Sequence, residues 1–353
     1  MIPVKLYTPD GTLVDLLATS RVEVSRNVEQ IGTLTLTCLK PKAIGKDYRI
    51  VIEHPAESRV LWLVSDYEET VIGDQSVLSV SAVDGKDLYQ RRFVWAYNDT
   101  AQGYKINYPQ VVAKEVINEN MVSASLTERN ISGMVAASFP TGLTSSLWTA
   151  WEGEVSWKPV WDVLTTLMEH GRGTDNPFMV DLLVESQGGT GLVPVITRRL
   201  GVSRTLNSFQ LQRMGISVRI TYSAKGAAHR VLALGAGDGS LALVSYDPAV
   251  VLTAGSSNPF YYSEAIVTSG NEDDLGALAA TASARRAALQ PKLSLVLEGA
   301  APVRNFWGTT MGYGDQLLVS HAGVEYDVTV TGYSLSWAGA EEPAVSVVVA
   351  EGY

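Results

Sequence analysis

The stretch that decides the fold is residues 314–352, which read GDQLLVSHAGVEYDVTVTGYSLSWAGAEEPAVSVVVAEG. A Gly-Asp turn opens it, a short apolar strand and a long alternating strand follow, and an apolar strand closes it. Residues 45–85 read GKDYRIVIEHPAESRVLWLVSDYEETVIGDQSVLSVSAVDG and repeat this order, with an aromatic residue in each long strand at Tyr67 and Tyr333. The sequence therefore predicts two related β units, and such a repeat is typical of a protein that assembles into a symmetric structure.

The composition predicts a folded, β-rich protein. The chain has 353 residues, 46% of them hydrophobic and 18% charged, which is enough for two to four domains. Val, Thr, Ser and Gly are plentiful, which favours strands. Cys38 is the single cysteine, so the sequence excludes an internal disulfide framework and CxxC-type metal sites. Its place in the alternating run GTLTLTCLK predicts a buried strand thiol.

The net charge of −10 bears on possible partners. It argues against a general nucleic-acid-binding surface, because such a surface needs basic residues to displace counterions. It is compatible with a wall past which DNA moves without sticking. The opening MIPVKLYTPDG does not resemble a signal peptide, and no run of about eighteen apolar residues occurs. We therefore expect no membrane span, and a soluble protein made and assembled in a cytoplasm.

The periodicity predicts an α+β fold dominated by β structure, in four segments. Residues 1–92 carry six or more short strands with tight turns and predict a first small antiparallel β-barrel. Residues 93–205 predict an α/β insert, and residues 206–290 predict a β-hairpin followed by an Ala-rich helix. Residues 291–353 predict a second, similar barrel. The expected architecture is two tube-forming barrels with α/β inserts between them.

Three helices stand out within these segments. Residues 109–121 have Val112, Val116 and Asn120 at helical spacing behind a proline. The next helix, capped by Ser156 with Pro159 in its first turn, has one apolar stripe: Val160, Val163, Leu164, Leu167 and Met168. The third begins at Asp273 and Asp274, with the apolar side Leu275, Leu278, Ala282 and Leu289. Before it, residues 216–222 and 229–234 predict strands joined by a turn at 224–226.

The sequence carries no pattern typical of a catalytic, cofactor-binding or metal site. The four histidines are dispersed, and turn-edge positions explain them better than a metal pair: His54, His170, His229 and His321. Residues 235–240 (GAGDGS) predict a hairpin turn, because no helix and no GKS or GKT follows them. Adjacent acidic residues predict solvated loops or a helix start more readily than an acid–base pair: Glu68-Glu69, Asp273-Asp274 and Glu341-Glu342. No GxSxG nucleophile elbow occurs. We expect no enzyme and no cofactor.

Aromatic residues leave two interpretations open. Interface anchoring is one, because Tyr and Trp are enriched at protein interfaces, and a sugar-binding platform is the other. The set comprises Trp95, Tyr97, Trp148, Trp151, Phe260, Tyr261 and Tyr262. Interface anchoring is favoured, and a carbohydrate-binding module remains the alternative function.

Four features in order resemble the tail hub, or baseplate hub, proteins of long-tailed bacteriophages. They are the opening VKLYTPDGT, a first barrel that closes with LSVSAVDGKDLYQRR, a hairpin HRVLALGAGDGS before a Tyr-Tyr-Ser-Glu segment and the helix ending ARRAAL, and the final GYGDQLLV and YDVTVTGYSLS. These features cover nearly the full length, and none is a catalytic signature. Since the sequence ends at Tyr353, we do not expect the peptidase, glycosidase or fibre-like module of some larger relatives, nor cell-wall degradation by this chain.

This resemblance implies a structural virion protein at the tail tip. It implies a homotrimer whose two barrels per subunit form a pseudo-sixfold ring, closing the distal tail tube and lining part of the DNA channel. The implied partners are a hexameric distal tail protein or tube protein, the tape-measure protein and other tail-tip or fibre proteins. No sequence-specific nucleic acid is expected among them. The repeat then has a reason, because it presents sixfold order to the tube and threefold order to the tip.

Overall fold

The structure is a computed structural model of the chain, and its description covers most of the sequence. The described residues are 2–54, 57, 59–72, 75–95, 103–124, 127–138, 150–173, 177–186, 189, 191–197, 203–210, 217–223, 228, 230–237, 242–246, 264–268, 273–289, 292–298, 307, 311–321, 324–339 and 341–350. Within these residues, no helix has the length and apolar character needed to cross a bilayer.

Strands predominate, as the alternating pattern predicts. They are β1 Val4–Tyr7, β2 Leu13–Leu17, β3 Thr19–Asn27, β4 Gln30–Leu39, β5 Arg49–Ile52, β6 Trp62–Ile72, β7 Gln75–Asp84, β8 Tyr104–Asn107, β9 Trp151–Glu154, β10 Met179–Val184, β11 Leu192–Thr197, β12 Ser203–Gln210, β13 Ser217–Ser223, β14 Arg230–Leu234, β15 Val244–Tyr246, β16 Glu264–Thr268, β17 Lys292–Glu298, β18 Gln316–His321, β19 Val324–Ala338 and β20 Ala344–Ala350. The α-helices are α1 Asp87–Gln90, α2 Pro109–Ile117, α3 Val160–Gly173 and α4 Leu275–Ala288. The prediction of a β-dominated chain is confirmed.

One large sheet of 13 strands connects the beginning and the end of the chain. Its main path is β13-β17-β20-β19-β3-β4-β7-β6-β5-β1-β2, with β18 beside β19 and β12 beside β18. One core cluster lies on this sheet and takes side chains from both ends of the sequence, including Trp62, Leu78, Tyr333 and Val347. The two β units therefore share one hydrophobic core.

The strand order contains the repeat that the sequence predicts. In the N-terminal unit the order is β3-β4-β7-β6-β5-β1, and in the C-terminal unit it is β13-β17-β20-β19-β18-β12. These six strands correspond in order, whereas β2, which lies beside β1 at the end of the path, has no counterpart among the described strands. The match is not complete in direction either, because β1 pairs antiparallel with β5 whereas β12 pairs parallel with β18. That both units close into barrels stays a prediction, as does the division into four domains.

A β-bulge occurs at the same place in both units and supports this equivalence. The register of β6 against β7 shifts between Val64 and Asp66, and that of β19 against β20 shifts between Val330 and Gly332. In each case the next residue is the aromatic one, Tyr67 or Tyr333. A β-bulge bends its strand and increases the local twist, so a bulge at the same position in both units indicates that they share this local geometry.

The insert packs around a second core that α2 and α3 build against the hairpin β10–β11. The stripe predicted for α3 is confirmed, because all five of its residues are buried: Val160, Val163, Leu164, Leu167 and Met168. The helix predicted at 109–121 ends as an α-helix at Ile117 and continues as a π-helical turn to Val122. Asn120 in that turn is buried, as its spacing predicts.

Residues 206–290 contribute to two sheets. The strands predicted at 216–222 and 229–234 are present as β13 and β14, whereas the turn predicted at 224–226 lies outside the described residues. The two strands are not paired with each other in the described structure, because β13 pairs with β17 of the large sheet. A turn signal indicates a chain reversal but does not choose the pairing partner. Strand β14 lies in a separate three-stranded sheet, antiparallel to β15 and parallel to β16, with α4 packed on it. The third helix begins at Leu275, two residues later than predicted, and Leu275 is exposed.

Candidate functional site: the seam between the two β units

The N-terminal and C-terminal units meet where β3 pairs with β19, and we call this pairing the seam. Its antiparallel register runs from Gly332 opposite Asn27 to Ala338 opposite Arg21. Strand β19 has 15 residues, and it pairs first with β18 and then with β3 along one edge while β20 occupies the other. A Cβ added to Gly332 would lie 2.8 Å from the carbonyl oxygen of Arg26, so glycine permits this close approach.

Arg26 is a buried charged residue of the seam and lies opposite Tyr333, near one end of the pairing. Its Nη2 donates to both oxygens of Asp181, at 2.8 and 2.9 Å, and its Nε donates to Oδ2 of Asp84 at 3.2 Å. All three side chains are buried. Burial alone lowers the pKa of Arg26, but the charge of Asp181, followed by Tyr333 and Asp84, outweighs it and raises the pKa well above the ordinary value. Arg26 therefore stays charged and ties the seam to β10 of the insert.

Lys86 balances the second carboxylate of this group. Its Nζ lies 3.4 Å from Oδ2 of Asp84 and donates to the carbonyl oxygens of Asn27, at 2.5 Å, and Gln30. Burial lowers the pKa of Lys86, and the nearby Asp84 partly offsets this. The ring of Trp161 lies 5.4 Å from the ammonium. Two cations thus face two carboxylates in a space closed to water, which is the condition under which buried charges are tolerated.

Glu57 provides a titratable group under the seam. Its Oε2 accepts the indole N–H of Trp62 at 3.1 Å, and its Oε1 accepts the hydroxyl of Tyr333 from the other unit. The residue has no exposed surface. Burial raises the pKa of Glu57 to about 7, although the charge of Arg26 and the two hydrogen bonds oppose the shift. A single carboxyl group thus joins β6 and β19, and its charge changes near neutral pH.

The seam residues were not among the candidates that the sequence motifs indicate, although one signal is present. Arg26 continues the inward-facing series Val22 and Val24 of the alternating run, so the pattern places a charge on a buried face. An inward charge on a strand indicates a buried partner. No comparable signal identifies Glu57, which lies in a turn between strands.

The structure describes the backbone positions of three of the four histidines. His54 is half-buried, and His170, near the end of α3, is buried with its pKa lowered to about 4 by burial. His321 is the last residue of β18, and His229 lies outside the described residues. The described part of the chain holds no group of three or more His, Cys, Asp or Glu side chains arranged for a metal.

The acidic residues, the glycine-rich turn and the cysteine each have a structural environment. Glu69 binds Lys40 at 2.8 Å on the surface, and Oδ1 of Asp274 accepts the N–H of Gly276 at 2.6 Å at the start of α4. Residues 235–240 lie in the connection between β14 and β15, which are antiparallel as the predicted hairpin requires; 238–240 are outside the described residues. Cys38 is buried in β4, and burial raises its pKa to about 11. The prediction of a buried strand thiol is confirmed.

A cleft of about 340 Å³ lies between α3, α4 and β16. Its walls include Trp151, His170 and the ion pair of Arg285 with Glu169, whose nearest atoms are 3.4 Å apart. The lowered pKa of His170 makes its imidazole neutral near pH 7. The described walls offer a mixed polar and apolar surface but no paired nucleophile and base.

The predicted aromatic set is only partly described. Trp95 packs edge-on against Trp157, with ring centroids 5.3 Å apart, and the guanidinium of Arg129 lies 5.3 Å from the Trp95 ring. Trp157, which is not in the predicted set, is 53% exposed, and Trp151 is half-buried. The other members lie outside the described residues: Tyr97, Trp148, Phe260, Tyr261 and Tyr262.

Solved structures that are similar to this fold include bacteriophage tail proteins. No family model and no curated protein sequence matches the chain. The structure is similar to the 43 kDa tail protein of prophage MuSo2 from Shewanella oneidensis, with a TM-score of 0.60, 13% identity and coverage of 99% of this chain and 98% of that one. A tail protein from Neisseria meningitidis gives 0.58, 15% identity, and 99% and 96% coverage.

A third neighbour comes from a type VI secretion system. It is the Escherichia coli c3393 protein, a type VI secretion component described as structurally similar to the T4 bacteriophage tail proteins gp27 and gp5. Its TM-score is 0.51, with 10% identity and coverage of 96% of this chain and 75% of that one. The predicted resemblance to phage tail hub proteins is therefore confirmed at the level of the fold.

Proposed function

We propose that the chain is a structural tail protein that acts as a homotrimeric hub at the distal end of a phage tail tube. The observation that carries this proposal is the pair of topologically equivalent β units fused through the seam into one sheet. Three such subunits supply six equivalent units, which can face a hexameric tube ring on one side and a threefold tip on the other. The similarity to tail proteins over nearly the whole chain supports the same role.

The remaining properties agree with a hub. The net charge of −10 suits a channel wall that repels DNA phosphates, so the genome can pass without binding in a sequence-specific way. The proposed partners are the distal tail or tube protein, the tape-measure protein and the other tip proteins. The proposed location is the tail tip of the virion, after assembly in the host cytoplasm.

Mass and symmetry test this proposal directly. Native mass spectrometry of the full chain is expected to give a species of three subunits, and electron microscopy of tails is expected to place it at the tip with threefold order. A chain that stays monomeric at all concentrations and is absent from particles would refute the hub.

Carbohydrate binding is the second candidate, and the exposed Trp157 beside Trp95 favours it. Aromatic faces with a nearby cation such as Arg129 are suited to stacking on sugar rings or to anchoring a protein. Binding of the full chain to host-surface glycans that Trp157→Ala abolishes would support this function. Equal binding by Trp157→Ala and the wild type would count against it.

A further inference from the structure

Strand β6 has an edge that no strand in the described part of the subunit covers. Its first residues, Trp62 and Leu63, pair with β5, but from Asp66 to Ile72 it pairs only with β7 among the described strands. Residues 65–71 are all exposed, including Tyr67 at 44% and Val71 at 66%. An open strand edge with apolar side chains is a template for pairing with another strand.

The same segment in the other unit is covered. The matched bulges align Tyr67 with Tyr333 and the open part of β6 with residues 332–338 of β19. In β19 that segment pairs with β3 across the seam, and Tyr333, Leu335 and Trp337 are buried. The C-terminal unit thus shows what covers this edge when a partner strand is present.

The counterpart of β3 is also an edge strand. Register links through β7–β4–β3 and β20–β17–β13 place β13 at the position of β3, with Val22 equivalent to Val218 and Ser25 to Thr221. Strand β13 ends the path of the large sheet, and its single strand partner in the described structure is β17. Among the strands that the structure describes, each subunit therefore has an open edge of the β6 type and an open edge of the β13 type.

We propose that β6 of one subunit pairs antiparallel with β13 of the next, repeating the seam between subunits. This inference rests on the proposed hub, and it identifies the strands that join its subunits. The partner is a second copy of this chain, because the intramolecular seam already shows these two edge types fitting each other. Pairing different edges head to tail is heterologous, and it yields a closed ring when the rotation between units closes.

The register of the seam transfers directly to the proposed contact. It places Tyr67 opposite Tyr222, Glu68 opposite Thr221 and Val71 opposite Val218. Aromatic and apolar pairs of this kind stabilise antiparallel sheets. The pairing begins at Tyr67 and not one residue earlier, because Asp66 holds the place of Gly332, where a Cβ crowds the facing strand.

Charge agrees with this arrangement. The two residues on one face of the contact, Glu68 and Arg219, become diagonal neighbours of opposite sign, and both are exposed in the single subunit. Glu69 faces the other way and is held by Lys40 of its own chain.

Engineered cysteines test the register. The native Cys38 is buried, so a disulfide in the variants is assigned to the two new cysteines. Glu68→Cys with Thr221→Cys in the full chain is expected to form a reducible covalent trimer, because opposite residues in a sheet have Cα atoms about 4.5–5.5 Å apart. The control, Glu68→Cys with Ser217→Cys, places the thiols about 13 Å out of register and is expected to remain uncrosslinked.

Charge substitution tests the edge independently. Tyr67→Asp with Val71→Asp is expected to leave the fold unchanged by circular dichroism, since both side chains are exposed, and to raise the subunit dissociation constant at least about tenfold. The matched control Leu16→Asp, at an exposed apolar residue of β2, is expected to leave assembly unchanged.

The outcomes separate this inference from the proposed hub. In-register crosslinking together with loss of assembly in the charge variant supports the β6–β13 contact. A trimer by mass that neither crosslinks nor responds to the charge variant overturns this contact and leaves the trimeric hub standing. Crosslinking of the control pair alone overturns the register, and a monomer throughout overturns both proposals.

Discussion

Replacing Glu57 by glutamine should change how stability depends on pH. The folded-state pKa of Glu57 is raised to about 7 from an ordinary 4.5, so the folded protein binds this proton more tightly than the unfolded chain. The resulting stabilisation is fully present below pH 4.5 and is lost as the pH rises through 7. A shift of this size corresponds to about 3 kcal/mol, since one pKa unit is about 1.4 kcal/mol.

The assay is urea unfolding of the wild type and Glu57→Gln at pH 5 and pH 8. Glutamine imitates the protonated acid and does not titrate, so the free-energy difference between the two proteins isolates this group from the other carboxylates. We expect that difference to shift by about 2–3 kcal/mol in favour of the variant as the pH rises from 5 to 8. A constant offset from one weakened hydrogen bond, to Trp62 or Tyr333, does not affect the comparison.

Glu69→Gln is the matched control for this experiment. Glu69 is exposed, and its hydrogen bond from Lys40 lowers its pKa, so its contribution to stability has the opposite sign and is lost as the pH falls. A difference between Glu57→Gln and the wild type that stays the same at both pH values would refute the raised pKa. The same result would show that Glu57 does not make the stability of the seam depend on pH near neutrality.

Three further predictions concern the seam and the core. Arg26→Met should lower the free energy of unfolding, measured in urea, by about 3–5 kcal/mol, because it leaves two buried aspartates with one cation fewer. A loss below about 1 kcal/mol would contradict the buried ion network. Gly332→Ala should lower the free energy of unfolding by about 1–3 kcal/mol and reduce hydrogen-exchange protection in β3, because the added Cβ meets a carbonyl oxygen at 2.8 Å. The control Ser334→Ala, in the same seam, should change both quantities little. Equal protection in both variants would argue against the close approach. Cys38 should react with a thiol reagent at pH 8 only as fast as the protein unfolds, because the thiol is buried and burial raises its pKa to about 11. Rapid labelling of the folded chain would contradict this prediction.

The elements of the fold could be predicted from local pattern. The alternation of apolar residues in β3, β4 and β7 and the stripe of α3 each depend on residues close in sequence, and these predictions are confirmed. The internal repeat could be predicted for the same reason, because both copies carry the same succession of turns and strands. Local periodicity is a strong signal wherever one face of an element is buried.

The pairing partners and the buried charges could not be predicted in the same way. The buried charges Arg26, Asp181 and Asp84 meet from distant parts of the chain, and no short window of sequence contains all three. Strand β13 illustrates the problem for pairing, because it comes just before β14 in the chain but pairs with the distant β17 in the large sheet. Leu275 is exposed for a related reason: helical spacing predicts a shared face, but neighbouring elements determine how far along the helix that face is covered.

The seam also has a consequence for how the protein is made. Asn27 and Gly332 pair although about 300 residues separate them, so the contact closes a very long loop and forms late in folding. At about 5–20 residues per second, a ribosome needs roughly 15–60 s to synthesise the intervening chain. Throughout that interval the edge of β3 lacks its native partner and is available to other nascent chains. We therefore expect the emerging N-terminal unit to depend on chaperone protection until the last strands leave the ribosome.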